Sequence, residues 1–165
     1  LQFFRPDLKI IDLRGNVPTR IDKLRTGNYD AIMLAKAGVD RLKLDVSDLH
    51  KEVLNPKEFI PAAAQGVLAW QIRKEDVETF HLVNKLNNPV IAQRIQVERG
   101  ILKACEGGCQ LPLGVFCLGL DKLQVWVSYA PNLETELERF QLEGNHSGKL
   151  INEAMKKINS EKKKF

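Results

Sequence analysis

The alternation of apolar and polar residues after Gly114 is the feature that most constrains the fold of this chain. Leu123, Val125, Val127 and Tyr129 alternate with Gln124, Trp126 and Ser128. This period of two is typical of a strand with one buried face. A second run spans Val115 to Leu120, and Asp121-Lys122 between the two runs indicates a tight hairpin. With a third strand predicted from Thr135 to Glu143, the pattern predicts a small antiparallel sheet.

Two amphipathic helices are predicted on either side of this sheet in the sequence. Asn88 is a good N-cap and Pro89 suits the first helical position. The helix that follows has an apolar stripe and ends at Gly107-Gly108; the stripe consists of Ile91, Ile95, Leu102 and Cys105. The second helix is capped by Ser147, and its apolar residues are Leu150, Ile151, Ala154, Met155 and Ile158. Residues 88–165 are therefore predicted to form an α+β domain.

The residues before 88 show a different pattern, in which short apolar runs alternate with helical segments. Strands are predicted at Leu8–Leu13, Tyr29–Ala35 and Val67–Ile72, and helices at Thr19–Thr26, Ala37–Leu42 and Glu75–Leu86. This alternation is typical of βαβ units and predicts an α/β domain with a parallel sheet. Three strands are too few to complete such a sheet. The chain begins without Met, and we expect the missing strands to precede Leu1 in a larger protein.

Composition excludes several classes of protein. A hydrophobic content of 44% with 28% charged residues is ordinary for a globular protein. No apolar run approaches the roughly 20 residues of a membrane-spanning helix. Three cysteines do not form a disulfide framework and favour a reducing, cytoplasmic location. Much of the net charge of +4 lies in a lysine-rich tail without interleaved aromatic residues, so no nucleic-acid partner is predicted.

Three arginines are candidate ligands for an anion. Arg14 follows the first predicted strand, Arg20 lies at the start of the next helix, and Arg41 follows the second predicted strand. In open α/β sheets, ligands bind at the carboxyl ends of the strands, and guanidinium groups bind carboxylates and phosphates in a bidentate manner. The pattern indicates a polyanion site, with surface arginines at loop ends as the alternative interpretation.

Cys109 directly follows Gly107-Gly108 beyond the end of the long helix. It could belong to a simple turn, to a metal or disulfide site, or to a covalent attachment site. The cysteine and histidine spacing does not fit a zinc site, so no metal is predicted. The preceding helix C-terminus disfavours a thiolate nucleophile. A permanent thioether needs reach and exposure rather than a low pKa, and Cys105 belongs to the predicted core.

Four segments together resemble the porphobilinogen deaminase (hydroxymethylbilane synthase) family over nearly the whole chain. They are LRGNVPTRIDKL (13–24), YDAIMLAKAGVDRL (29–42), PAAAQGVLAWQIR (61–73) and ERGILKACEGGCQLPLG (98–114). The sequence departs from the family pattern at Ala64, where glycine is usual, at Gln71, where glutamate is usual, and at Cys105, where leucine is usual.

The resemblance implies a fold and a domain organisation. Residues 1–66 would be the remnant of domain 2, a partial α/β domain of the periplasmic-binding-protein type. Residues 67–87 would be the strand and helix returning toward domain 1. Residues 88–165 would be the C-terminal α+β domain, in which a three-stranded antiparallel sheet is covered by helices and the cysteine loop carries the cofactor.

The resemblance also implies an activity and a set of site residues. Family members condense four porphobilinogens head to tail, with release of ammonia, onto a dipyrromethane held by a cysteine thioether. That cysteine would be Cys109, in the loop with Gly108. Carboxylates of the cofactor would bind Arg14 and Arg20, and those of porphobilinogen and the growing polypyrrole would bind Arg14, Arg20, Arg41 and Gln65.

No aspartate in the chain matches the family's catalytic motif, so the resemblance places no catalytic residue in these 165 residues. We therefore expect a C-terminal portion that is inactive alone, from a cytoplasmic and monomeric full-length enzyme. The alternative from another class is a non-catalytic α/β anion-binding module that uses the same arginines without a covalent cofactor. A third interpretation is a purely structural role for the Cys109 loop.

Overall fold

A computed structural model describes residues 1–105, 111–132 and 135–162, with side chains as far as residue 160. The chain divides into two compact units, Leu1–Leu54 and Asn55–Phe165. The described residues form helices α1 (Val17–Arg25), α2 (Lys36–Leu42), α3 (Val77–Asn84), α4 (Pro89–Ala104) and α5 (Ser147–Lys162), and strands β1 (Leu113–Leu118), β2 (Leu123–Tyr129) and β3 (Glu138–Gly144). The domain boundaries predicted after residues 66 and 87 remain a prediction.

The second unit contains a three-stranded antiparallel sheet in the order β1-β2-β3. Val115 pairs with Val127 in the first ladder, and Val127 pairs with Phe140 in the second. The predicted hairpin is confirmed because the period of two and the short Asp121-Lys122 connection are local signals. β1 begins two residues before the predicted start, and β3 begins three residues after its predicted start.

Helices α4 and α5 cover one face of this sheet, as the α+β prediction requires. Asn88 caps α4 by accepting from the N–H groups of Val90 and Ile91 at 3.1 and 3.2 Å. The core joins these helices to alternate residues of the strands; it contains Val97, Ile101, Cys105, Leu113, Val115, Cys117, Leu123, Val125, Val127, Tyr129, Leu142, Leu150, Ala154 and Ile158. The predicted core position of Cys105 is confirmed.

The buried stripe of α4 differs from the predicted stripe. Val97, Glu98 and Ile101 are buried, whereas Ile91 is 40% exposed. The difference arises because the sheet contacts the C-terminal half of α4, where Gly100 allows α5 to approach. A Cβ atom on Gly100 would lie 2.4 Å from the Ile151 Cδ1 atom.

Residues 55–66, the covering segment, lie along the free edge of β1. The Val115 N–H donates to the Pro61 carbonyl at 2.9 Å. The Cys117 N–H, which points to the same side, donates to the carboxylate of Glu98 at 2.8 Å. Because unpaired edge amides favour pairing with other chains, these contacts protect the edge.

The covering segment is also fastened to the face of the sheet away from the helices. The Lys57 ammonium lies 4.7 Å from the centre of the Trp126 ring, and Trp126 stacks at a tilt against Phe116. The Arg139 guanidinium donates to the carbonyls of Lys57 and Glu58. Both faces of the sheet are therefore in contact with other parts of the second unit.

The first unit contains α1 and α2 and is stabilised by polar contacts. Arg25 in the last turn of α1 makes a bidentate pair with Asp48 at 2.7 and 2.8 Å and donates to the Asp45 carbonyl. Ile21 is the buried residue of α1. The predicted helices 19–26 and 37–42 are confirmed, with α1 starting two residues earlier at Val17.

The strands predicted at Leu8–Leu13, Tyr29–Ala35 and Val67–Ile72 are wrong for this structure, which assigns no strand to those residues. An apolar run becomes a strand when a neighbouring strand pairs with its N–H and C=O groups. No described segment provides that ladder, and several of the apolar side chains remain open to solvent, as the 54% exposure of Ile10 and the 65% exposure of Trp70 show. The periplasmic-binding-protein-like sheet is therefore absent from the described residues.

Replacing Gly114 with alanine should destabilise the second unit. The new Cβ would lie 2.6 Å from the Ile60 carbonyl oxygen and 2.5 Å from the Ser128 Oγ atom, so backbone would have to move. We expect a loss of about 1–3 kcal/mol in the free energy of unfolding, measured by urea denaturation. Gly148→Ala is the matched control, because nothing lies within 4 Å of its Cβ position. Equal stabilities for the two variants would contradict the close packing of β1 and the covering segment.

Candidate functional site

The turn at Arg14-Gly15-Asn16 positions the first group of candidate anion ligands. Gly15 has a φ of +121°, a conformation that favours glycine. Asn16 caps α1, since its Oδ1 atom accepts from the Thr19 N–H at 2.9 Å and from the Thr19 hydroxyl at 2.7 Å. The chain therefore reverses sharply between Arg14 and the first turn of α1.

Two cations of α1 bind the backbone of this same turn. The Arg20 Nε atom donates to the Gly15 carbonyl at 2.7 Å, and the Lys23 Nζ atom donates to the Arg14 carbonyl at 2.9 Å. Arg20 and Lys23 are three residues apart and share one face of the helix. Among the described residues no carboxylate forms an ion pair with Arg20 or Lys23, so both retain donors for a ligand.

The electrostatics of this turn favour anions. The side chain of Arg14 is 90% exposed and its single ion pair among the described residues, with Asp12, is long at 3.8 Å. The first turn of α1 contains no acidic residue, so the positive end of the helix dipole is not neutralised there. Arg14, Arg20 and Lys23 together form a cationic cluster at the start of α1, the α1 cluster.

Arg41 lies in the last turn of α2, on a helix that approaches α1. A Cβ atom on Gly38 would lie 3.5 Å from a Val17 side-chain carbon, so Gly38 faces the start of α1. Arg41 is three residues beyond Gly38 and hence on a neighbouring part of the same helix surface. It is exposed and makes no ion pair within the described ranges. The structure thus places Arg14 and Arg20 at one turn and Arg41 on the adjacent helix.

An open cleft of about 680 Å³ lies elsewhere in the first unit, lined by residues 24–25, 29–32 and 48–50. Its one arginine, Arg25, is already paired with Asp48, and Asp30 adds a second carboxylate to the lining. This cleft therefore does not suit an acidic ligand, and it does not include the α1 cluster.

Gln65 lies in the second unit, at an exposed turn of the covering segment. Its N–H donates to the Ala62 carbonyl at 3.1 Å. Its two neighbours, Ala64 and Gly66, have φ values of +64° and +76°. The Ala64 N–H donates to the Glu98 carboxylate at 2.7 Å, which holds this turn against α4.

Two of the three cysteines are buried in the core of the second unit. Cys105 is 6% exposed and its sulfur lies 3.6 Å from the Met155 sulfur. Cys117 is 2% exposed, and burial together with the nearby Glu98 carboxylate raises its thiol pKa to about 11. Neither thiol is suited to covalent attachment. Cys109 and Gly108, the predicted attachment site, lie outside the described residues.

The part of the chain that the structure describes contains neither a cluster of metal-binding side chains nor a membrane-spanning helix. No group of three or more His, Cys, Asp or Glu side chains there could hold a metal ion. No helix in the same residues has the length and apolar character needed to cross a membrane.

The family model and the curated relatives that match this chain carry the same family name. Residues 1–81 match the family model described as "Porphobilinogen deaminase, dipyromethane cofactor binding domain". The chain is 44% identical over 118 residues to the porphobilinogen deaminase of Roseiflexus castenholzii. The aligned residues cover 72% of this chain and 38% of that protein. It is 44% identical over 112 residues to that of Maridesulfovibrio salexigens, covering 68% of this chain and 36% of the relative.

The chain belongs to the porphobilinogen deaminase family. It spans a little over a third of the length of the curated relatives that it matches. The matched family model names dipyrromethane as the cofactor of this domain. The matched residues 1–81 of the chain include Arg14, Arg20, Arg41 and Gln65, and they end before Cys109.

The cationic side chains of the α1 cluster are of a type that binds the carboxylates of a dipyrromethane. Each pyrrole of this cofactor carries carboxylate side chains, and guanidinium and ammonium donors bind such groups through charge-assisted hydrogen bonds. The α1 cluster presents three cationic side chains around one turn, with no ion-paired carboxylate on Arg20 or Lys23 among the described residues. The donor set is therefore chemically appropriate for the acid groups of the porphobilinogen deaminase cofactor.

The sequence pattern missed two residues that the structure places at important positions. Lys23 could have been found from its spacing of three residues from Arg20 on the same helix. Glu98 fills the gap in the predicted stripe Ile91, Ile95, Leu102, Cys105, because the alternating spacing of four and three residues predicts position 98 as buried. A charged residue at such a position indicates a specific polar partner.

Replacing Ala64 with glycine should stabilise the second unit. Ala64 adopts a left-handed conformation that costs an L-residue with a Cβ about 1–2 kcal/mol, and glycine is usual at this position in the family that the sequence resembles. After the entropy cost of glycine in the unfolded chain, we expect a net gain of about 0.5–1 kcal/mol in the free energy of unfolding. Ala62→Gly, two residues earlier without a positive φ, should instead lower stability. A loss of stability in Ala64→Gly would contradict the conformation of this turn.

Proposed function

We propose that this chain is the C-terminal part of a cytoplasmic porphobilinogen deaminase, which condenses four porphobilinogens head to tail with release of ammonia. When bound, the dipyrromethane supplies the pyrrole terminus onto which each porphobilinogen is added. The observation that carries the proposal is the α1 cluster within the family-matched residues 1–81. The catalytic aspartate is expected elsewhere in the enzyme, so the chain alone should bind porphobilinogen without forming a tetrapyrrole.

In this proposal the cations of the first unit bind and orient acid groups. Arg14 and Arg20 hold cofactor and substrate carboxylates, and Arg41 on the adjacent helix holds those of the substrate and the growing chain. Because each addition brings two more carboxylates, fixed cationic donors offset a negative charge that increases with every cycle. Orientation by such donors also reduces the entropy cost of bringing two pyrroles into contact.

Cys109 would hold the cofactor through a thioether, and Gln65 would contact the substrate. The burial of Cys105 and Cys117 supports Cys109 as the attachment point, because the other two thiols of the chain are inaccessible. The proposal includes a cytoplasmic location, and the described cysteines, Cys105 and Cys117, form no disulfide with each other.

Removing the charge of Arg14 or Arg20 should weaken porphobilinogen binding. A hydrogen bond to a charged group contributes about 1.5–3 kcal/mol, so Arg14→Gln and Arg20→Gln should each raise the dissociation constant about tenfold or more. Isothermal titration calorimetry of the full chain measures the effect. Lys9→Gln is the matched control, an exposed cation of the same unit outside the α1 cluster. Equal affinities for all three variants would rule out the α1 cluster as the carboxylate site.

Replacing Cys109 with serine should prevent attachment of the cofactor. The wild-type chain should show an intact mass increased by one dipyrromethane, with the adduct on the peptide that contains Cys109. Cys109→Ser should have the unmodified mass, and Cys117→Ala, which removes a buried thiol, should retain the adduct. An adduct that persists in Cys109→Ser, or one that lies on another residue of the wild-type chain, would contradict the thioether at this position.

A further inference from the structure

Glu98 is a buried carboxylate in the middle of α4 and is 5% exposed. Its two oxygens bind two backbone amides that are far apart in the sequence. The Oε1 atom accepts from the Cys117 N–H of β1 at 2.8 Å, and the Oε2 atom accepts from the Ala64 N–H at 2.7 Å. One side chain therefore connects α4, the edge of the sheet and the turn that carries Gln65.

The buried Glu98 carboxylate depends on its two amide hydrogen bonds. Desolvation raises its pKa, although both amide hydrogen bonds oppose that rise. In the described ranges no cation forms an ion pair with Glu98, and Arg94, one turn earlier on α4, donates to the Gly119 carbonyl at 2.9 Å. A buried charge is costly unless its hydrogen bonds are satisfied, and here the carboxylate and the two backbone N–H groups satisfy one another.

The turn at Ala64 needs such a partner. Ala64 and Gly66 both have positive φ values, and Gln65 lies exposed between them. Ala63 packs against the core, and the Val115 N–H to Pro61 carbonyl bond holds the segment three residues before Ala64. The Ala64 N–H to Glu98 bond ties the residue next to Gln65 to α4, in addition to the Gln65 N–H to Ala62 carbonyl bond within the turn.

We propose that Glu98 is a positioning residue, which fixes the turn 62–66 against β1 and thereby sets the place of Gln65 for substrate binding. The part of this inference that concerns substrate rests on the proposed function. Glu98 itself touches no substrate and acts through the Ala64 amide.

Amide hydrogen exchange of the full chain, followed by NMR, tests the positioning directly. Glu98→Gln keeps the size of the side chain but leaves one acceptor oxygen for two N–H donors. We expect exchange at Ala64 to accelerate tenfold or more while exchange at Val125 and Val127 in β2 stays unchanged. Glu153→Gln, an exposed charge removal on α5, should leave all these rates unchanged. An unchanged rate at Ala64, or an equal rise at Ala64 and β2, would overturn the proposal.

A measurement on the unmodified chain gives the same test without a variant. Scalar couplings across the hydrogen bonds should connect the amide nitrogens of both Ala64 and Cys117 to the Glu98 carboxylate carbon. Detection of both couplings supports the bridge, and their absence overturns it even when Glu98→Gln does not fold.

Porphobilinogen binding then separates this inference from the proposed function. Glu98→Gln and Gln65→Ala should each raise the dissociation constant, and the double variant should be no weaker than Gln65→Ala. Additive losses would show that Glu98 does not act through Gln65 and would overturn the inference. A wild-type chain that binds no porphobilinogen would contradict the proposed function, while the exchange rate of Ala64 would still decide whether Glu98 positions the turn.

Discussion

The hydrogen bonds of the Glu98 carboxylate complete the edge of a sheet that would otherwise remain open. β1 pairs with β2 on one side, and its outward amides at Val115 and Cys117 donate to the Pro61 carbonyl and to Glu98. The carboxylate accepts a hydrogen bond that the carbonyl of a neighbouring strand would otherwise accept, and it connects the edge of β1 to Ala64. The covering segment, the turn at Gln65 and Cys117 are brought together at this contact.

The two units are stabilised by different kinds of interaction. The second unit has a continuous apolar core between the sheet and two helices, with polar contacts at its margins. The first unit is held mainly by polar contacts, such as those of Arg25 and Asn16, and leaves apolar residues such as Ile10 exposed. Arg14, Arg20 and Lys23 of the first unit lie around the start of α1, where the helix dipole adds to their charge. An acidic ligand would therefore add to the interactions that hold the first unit together.

Local signals in the sequence predicted much of the second unit, and non-local pairing explains most of the errors. The Asn88-Pro89 start of α4 and the alternation in β2 are encoded within a few residues, so they were predicted correctly. The apolar runs 8–13, 29–35 and 67–72 indicate burial, but whether they form strands depends on partners that the runs themselves do not specify. The positive φ of Ala64 was not predictable, because alanine rarely adopts it and the amide that stabilises it binds a residue 34 positions away. The cations Arg14, Arg20 and Arg41 were identified from type and spacing, whereas Lys23 and Glu98 were missed although their spacing along α1 and α4 pointed to them.

The cation–π contact of Lys57 and the carbonyl contacts of Arg139 have a consequence for how the length of such a chain can vary in evolution. The covering segment is bound at both of its ends, by Trp126 and Arg139 near residue 57 and by Glu98 at residue 64. An added or deleted residue between these points would shift one attachment out of register with the other. The stretch 67–76, which lies beyond both attachments and forms no helix or strand, has no such restriction. Natural insertions and deletions should therefore be concentrated in the latter stretch and rare in the former.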